Sequence, residues 1–204
     1  GATSFCHIRT STSPNQAAAS SAFSGDLLTI DIIPLSVARA VPDEIHWDDP
    51  SGGSYGLASN WNPPQVPDCD DTAIFDVTPA LTHIPIEANS DAAGRWEIRT
   101  PIALNGSAVL VGGSFLDPSL SLSGLGSLLL NGGATLDSRN ARIGDSGVNQ
   151  APLVTVSGNG SRWRNTSEAS FTDSRDATLK IESGGRVEAL MMTVAKANGT
   201  SGAI

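Results

Sequence analysis

"LSLSGLGSLLLN", Leu120 to Asn131, and "VTVSGNGSRWRN", Val154 to Asn165, are two writings of one frame. Both run apolar, polar, apolar, then Ser-Gly-x-Gly-Ser, then x, apolar, x, Asn. In "LSLS", "VTVS" and "TLKIE" the residues Leu120 and Leu122, Val154 and Val156, and Leu179 and Ile181 take every second position, the pattern of strands with one buried face. Ser121, Thr155 and Lys180 then face water. With Leu104, Leu130, Val156 and Ile181 as markers, the steps are 26, 26 and 25 residues. A period of this length means stacked repeats. Glycine pairs and the absence of a 3.6-residue period exclude helical repeats, so the predicted fold is all-β, a right-handed parallel β-helix (β-solenoid). Each coil would lay its strands ~4.8 Å beneath the next and share one aliphatic core. The frame would recur because every coil solves the same geometry. The glycines of "SGLGS" and "SGNGS", with Gly132/Gly133 and Gly184/Gly185, would mark corners that need φ > 0.

One coil reads two ways. Aligning the Gly-Gly pairs turns Leu128 and Leu130 inward, whereas aligning the Ser-Gly-x-Gly-Ser frames turns Leu129 inward opposite Trp163. A one-residue slip reverses every side chain, so both alignments stay open.

Working outward, the chain has 204 residues, 39% apolar and only 5% aromatic, with 21 Gly and 12 Pro, a profile of many turns and a thin core. Acidic residues outnumber basic ones 21 to 12, and no Lys/Arg cluster could neutralise a run of phosphates, which argues against a nucleic-acid partner. No apolar run approaches the ~20 residues of a membrane span. Cys6 and Cys69 lack CxxC spacing, and whether they pair is left open. The first Met is Met191, so a processed piece or fragment, truncated at its C-terminus, is expected.

Three regions are expected. Residues 1–42 read as a disordered leader or a degenerate export signal: "LLTIDIIPLSVARAV" closes on a small-x-small form at Ala38 and Ala40, yet Asp31 lies within it and Asp26 beside it. Residues 43–102 read as an N-terminal capping module, and 103–204 as the parallel repeats.

The segment Val154-x-Val156-Ser157-Gly158-x-Gly160-Ser161-x-Trp163-x-Asn165, followed by Thr178-Leu179-x-Ile181-x-x-Gly184-Gly185-x-Val187, resembles the repeat of type V secretion (autotransporter) passengers and PEP-CTERM sorted surface proteins. The likeness covers residues 120–204. It departs around Phe171 to Ser174, where a Val-Gly would follow, and in the first copy, where leucines stand for the Trp. Upstream, Trp47, Asn60-Trp61, Val66-Pro67 and Asp71-Thr72-Ala73-Ile74-Phe75 resemble the "W…NW…VP…DxAxF" module that often precedes such repeats. An open stack of strands needs a cover on its first coil, and Trp47, Trp61 and Phe75 would supply it. The resemblance implies an exported bacterial protein, secreted or held at the outer membrane surface, with a downstream β-barrel or sorting tail. It implies no catalytic residue.

The residues themselves offer few sites. "GGSYG", Gly52 to Gly56, matches the G-x-S-x-G nucleophile elbow at Ser54, but a loop precedes it and His83 is the one later histidine. Asp48/Asp49 and Asp68, Asp70 and Asp71 carry the residue types for acid/base pairs or Ca²⁺, without an EF-hand loop. His7, His46 and His83 lack metal-ligand spacing. Trp61 and Trp96 could stack on sugar rings or serve as hydrophobic anchors. Lys180, Glu182, Arg186 and Glu188 read as a solvated face. Asn105, Asn159, Asn165 and Asn198 head N-x-S/T triplets, three of them N-G turns, which carry no meaning in a bacterial protein. The expectation is therefore a structural or adhesin-like stalk with no catalytic, metal or cofactor site. Surface glycans or other cell-surface proteins would be its partners, with no direct membrane insertion. The alternative is a polysaccharide-binding or polysaccharide-degrading β-helix.

Overall fold

The computed structural model describes residues 43–112, 118–145, 151–171, 177–194 and 202–203. Along the chain run β1 (Glu44–Trp47), β2 (Gly53–Ser54), β3 (Trp61–Asn62), β4 (Thr72–Phe75), β5 (Ile84–Ala93), β6 (Arg95–Ile98), β7 (Pro101–Leu110) and β8 (Leu120–Ser123). There follow β9 (Ser127–Leu130), β10 (Thr135–Ser138), β11 (Ala141–Asp145), β12 (Leu153–Ser157), β13 (Arg162–Phe171), β14 (Ala177–Glu182), β15 (Arg186–Val194) and β16 (Gly202–Ala203).

These strands wind as a right-handed parallel β-solenoid with three faces. Face A stacks β2, the first half of β5, the first half of β7, β9, β12, β14 and β16. Face B stacks the second halves of β5 and β7 with β10 and the first halves of β13 and β15. Face C stacks β1, β4, β6, β8, β11 and the ends of β13 and β15. The long strands thus turn a corner within themselves, and register breaks at Asn89/Asp91 and Asn165/Glu168 absorb the bend.

The chosen markers are in register: Leu104 faces Leu130, Leu130 faces Val156, and Val156 faces Ile181. Beside them, Ile102, Leu128, Val154 and Leu179 form a second inward ladder. Leu128 and Leu130 are buried and Leu129 turns outward opposite Thr155, so the Gly-Gly alignment is the correct one. What faces Trp163 in the preceding coil is Leu136.

That outcome corrects the reading of the repeated frame. "LSLS" lies on face C and "SLLL" on face A, whereas "VTVS" lies on face A and "RWRN" on face B. The two copies encode successive corners, one face apart, and not the same place in successive coils. A Ser-Gly-x-Gly-Ser corner between two alternating strands is a local solution that any corner of the solenoid accepts.

Glycine serves these corners in two ways. Gly158 and Gly160 have φ of 91° and 86°, a region costly to residues with a Cβ. Gly185 is required for a different reason: a Cβ there would lie 2.2 Å from the Val156 carbonyl oxygen of the coil below.

The core is a single apolar column running the length of the solenoid. At its start Trp47, Tyr55, Trp61, Phe75 and Trp96 are all buried against one another, with ring centroids 4.9 Å apart for Trp47–Trp61 and 5.3 Å for Phe75–Trp96. The short β3 runs antiparallel to β1, pairing Trp61 with Trp47 and covering the first edge of face C.

Placing a charge in the column and one on its outer side should separate sharply. Val156→Asp is expected to cost about 4 kcal/mol or more in urea unfolding, because the carboxylate enters a stack with no polar partner. Thr155→Asp, which faces Lys180 across the strand pair, should cost about 1 kcal/mol or less.

Candidate functional site

Several of the motif residues are put to structural use. Ser54 lies in the two-residue β2, opposite Glu87 of β5, and its carbonyl accepts Asn60 Nδ2 at 2.9 Å. A turn and a short 3-10 segment, Ala58–Asn60, follow it. The strand-to-helix geometry of a nucleophile elbow is therefore not formed. His83 Nε2 instead meets Ser127 Oγ at 3.3 Å, a Ser–His contact across forty-four positions that spacing could not reveal. Among the described residues no carboxylate bonds His83 Nδ1, so this pair lacks the orienting acid that a triad needs.

The acidic residues order loops. Asp49 Oδ1 accepts the Ser51 amide at 2.8 Å. Asp71 is buried, and its two oxygens accept the amides of Asp43 at 3.3 Å and Asp68 at 2.9 Å, fastening the entry to β1 onto the loop before β4. Asp68 Oδ1 in turn accepts the Asp70 amide at 3.3 Å. These are backbone-capping roles that carboxylates take in turns. Among the described residues there is no group of three or more His, Cys, Asp or Glu side chains placed to hold a metal ion.

His46 Nδ1 lies 3.0 Å from Asp76 Oδ2, Arg99 reaches the same carboxylate at 3.7 Å, and Arg99 also pairs with Glu97 at 2.8 Å. This network links strands β1 and β6 and the residues after β4 and β6 at the surface, where such pairs contribute little. His7 and Asn198 lie outside the described residues. Cys69 is disulfide-bonded, and Cys6, the chain's other cysteine, lies outside the described residues.

Trp61 and Trp96 are 2% and 1% exposed, so neither ring offers a face to a sugar. Trp61 Nε1 donates to the Tyr55 carbonyl at 2.8 Å. Tyr55 stacks on Trp96 at 5.8 Å, and burial pushes its hydroxyl well above the ordinary tyrosine value, the Trp96 indole acting the other way. Neither Tyr55 Oη nor Trp96 Nε1 meets full hydrogen-bond geometry.

Sequence reasoning missed the buried polar group of the second copy. Trp163 Nε1 and Asn165 Nδ2 both turn inward and donate to Ser138 Oγ of the coil below, at 2.9 and 3.1 Å. Asn165 Oδ1 accepts the Ser167 amide at 3.0 Å and so starts the corner within β13. Ser161 Oγ accepts the Gly133 amide at 3.1 Å, tying that corner to its predecessor. In the second copy Ser161, Trp163 and Asn165 thus wire the chain to the previous coil, whereas the first copy has leucines in place of the Trp and an exposed Asn131. The available signal was Ser138, which lies 25 residues before Trp163 and 27 before Asn165, close to one coil step from each.

On the outer side of face B, Asp137 pairs with Arg164 and, at 3.5 Å, with Arg162, while Arg186 pairs with Glu188 at 2.8 Å. Asp137 and Glu188 flank Arg164 in register and hold its guanidinium above its ordinary pKa, Asp137 by hydrogen bond and charge and Glu188 by charge. Lys180 and Glu182, which pair at 2.8 Å, lie on the outer side of face A, so the four residues expected on one solvated face are divided between two.

Two outcomes follow. Ser138→Ala strands two buried donors and should lower stability by about 2–4 kcal/mol in urea titration, whereas the Ser138→Ala/Asn165→Ala pair should cost less than the sum of its parts. Burial lowers the pKa of His83 below its ordinary value, so the unfolded chain binds this proton first as pH falls. Stability tied to His83 is therefore full above about pH 6.5 and lost as pH drops through the folded value. His83→Gln should flatten the melting-temperature decline between pH 7 and 5.

No family model matches this chain, and no curated protein or solved structure matches it either.

Proposed function

We propose that this chain is a structural, adhesin-like stalk segment of an exported bacterial cell-surface protein, without chemistry of its own. The observation that carries the reading is the employment of the candidate residues: Ser54, Asp49, Asp71, Trp61 and Trp96 are each committed to turns, strand pairing or the cap. A solenoid of this kind is a spacer by construction, since each added coil lengthens it by ~4.8 Å without altering the coils beneath. The likeness of residues 120–204 to autotransporter and PEP-CTERM repeats supplies the address. Surface glycans or neighbouring surface proteins are its partners, held on the outer faces. The polysaccharide-binding alternative loses Trp61 and Trp96 as stacking platforms, because both rings belong to the column.

The test is labelling of intact source cells with an antibody to the folded chain. Labelling without permeabilisation, removed by external protease, is the expected result. Signal that emerges only after the cells are opened would refute the reading.

A further inference from the structure

Four asparagines are followed directly by glycine: Asn105, Asn131, Asn159 and Asn198, the last of them outside the described residues. In an Asn-Gly step the carboxamide is open to attack by its own backbone, because the next residue has no Cβ to shield the peptide nitrogen and lets the peptide unit rotate. The three described steps lie along one edge of the solenoid, where face A turns into face B in successive coils. They are held in two different ways.

In the coil of β7 the corner belongs to the ladder. Every residue from Ile102 to Ser107 has a partner in β5, with Asn105 opposite Glu87 and Gly106 opposite Ala88. A Cβ on Gly106 would lie 2.0 Å from the Ala88 carbonyl oxygen, so this backbone lies tight on the coil below. In the next two coils the corner leaves the ladder. Asn131 to Ala134 form a turn closed by the Ala134 amide on the Asn131 carbonyl at 2.9 Å, and Gly158 to Ser161 form one closed by the Ser161 amide on the Gly158 carbonyl at 3.1 Å. Asn131, Gly132, Asn159 and Gly160 are all exposed, and a Cβ on Gly132 would meet nothing within 4 Å. Ser161 Oγ engages the Gly133 amide. The amides of Gly132 and Gly160, which are the nitrogens beside the two carboxamides, bond to none of the described residues, and neither carboxamide does.

We propose that Asn131 and Asn159 are sites of spontaneous deamidation and isoaspartate formation in the folded protein, and that the ladder protects Asn105. Hydroxide takes the proton of the Gly132 or Gly160 amide, and that nitrogen attacks Cγ of the preceding Asn. The N–Cγ bond forms, the Cγ–Nδ2 bond breaks, and the nitrogen leaves as ammonia with a proton from water, which closes a succinimide ring. Water then opens the ring. Cleavage of the N–Cγ bond gives Asp, and cleavage of the bond to the backbone carbonyl carbon gives isoaspartate, whose main chain runs through the former side chain. Each event exchanges a neutral amide for a carboxylate, and the isoaspartyl product lengthens the backbone by a carbon. At Asn159 that extra carbon enters the turn ending at Ser161, whose Oγ holds the Gly133 amide of the coil below, so the modification loosens a tie between coils. The proposal concerns the chemistry of two corners and does not rest on the stalk reading.

The test incubates the folded chain at mildly alkaline pH and follows each Asn-Gly step by tandem mass spectrometry of its peptides, with isoaspartate counted by enzymatic methyl transfer from S-adenosylmethionine. Asn131 and Asn159 should convert to a mixture of Asp and isoaspartate, faster as pH rises. Asn105 should convert at least about tenfold more slowly than either, since it reacts only when the ladder around it opens. In concentrated urea the three rates should converge, because the local Asn-Gly chemistry is then the same. Asn131→Gln and Asn159→Gln, whose ring would be larger and slower to close, should each silence their own site and leave the other unchanged. Equal rates at all three sites in the folded chain, no isoaspartate at Asn131 and Asn159, or an Asn105 that stays slow in urea would each overturn the proposal.

Discussion

Every coil of this protein depends on lying in register on the coil beneath it. A single turn of about 25 residues exposes a flat apolar side and two rows of unpaired amides and carbonyls, and it cannot satisfy either alone. Stacking satisfies both at once: the backbone rows pair, and Leu104, Leu130 and Val156 become a continuous column. Register and burial are therefore one constraint. A slip of a single residue would break the column and turn its side chains to water while leaving the hydrogen-bond count nearly intact.

The corners follow from that constraint. Three faces require the chain to turn repeatedly without losing its place over the preceding coil. Glycine relieves the backbone at some corners, and at others side chains do the work from within. Trp163 and Asn165 reach down to Ser138, and Ser161 reaches the Gly133 amide, so the two corners that flank the first half of β13 are fixed to their predecessors by polar bonds inside or beside an apolar column. A buried donor without such an acceptor would be expensive, which is why these polar residues occur as a matched set.

The ends show the same physics in its boundary form. The first coil has no neighbour below, and aromatic rings with an antiparallel strand take the place of one. The last described coil has no such cover, and the exposure of Ile181 against the burial of Val156 measures the difference. Aromatic residues suit a terminal position because each removes a large apolar area from water with few rotatable bonds.

The sequence by itself determined the strand class, the 25- to 26-residue step and the inward identities of Leu120, Leu122, Val154, Val156 and Leu179, because alternation and period are written residue by residue along the chain. It also marked Trp47, Trp61 and Phe75 as a cluster at the start of the fold. Only the tertiary structure decided the rest. Leu129 against Leu128 and Leu130 turned on which corner the repeated frame occupies, and a frame that fits any corner does not say which. Whether Trp61 and Trp96 face a ligand or the column depends on neighbours far along the chain, as do the His83–Ser127 contact and the Ser138 acceptor. A linear pattern fixes what a side chain prefers; which coil lies against it is decided when the stack closes.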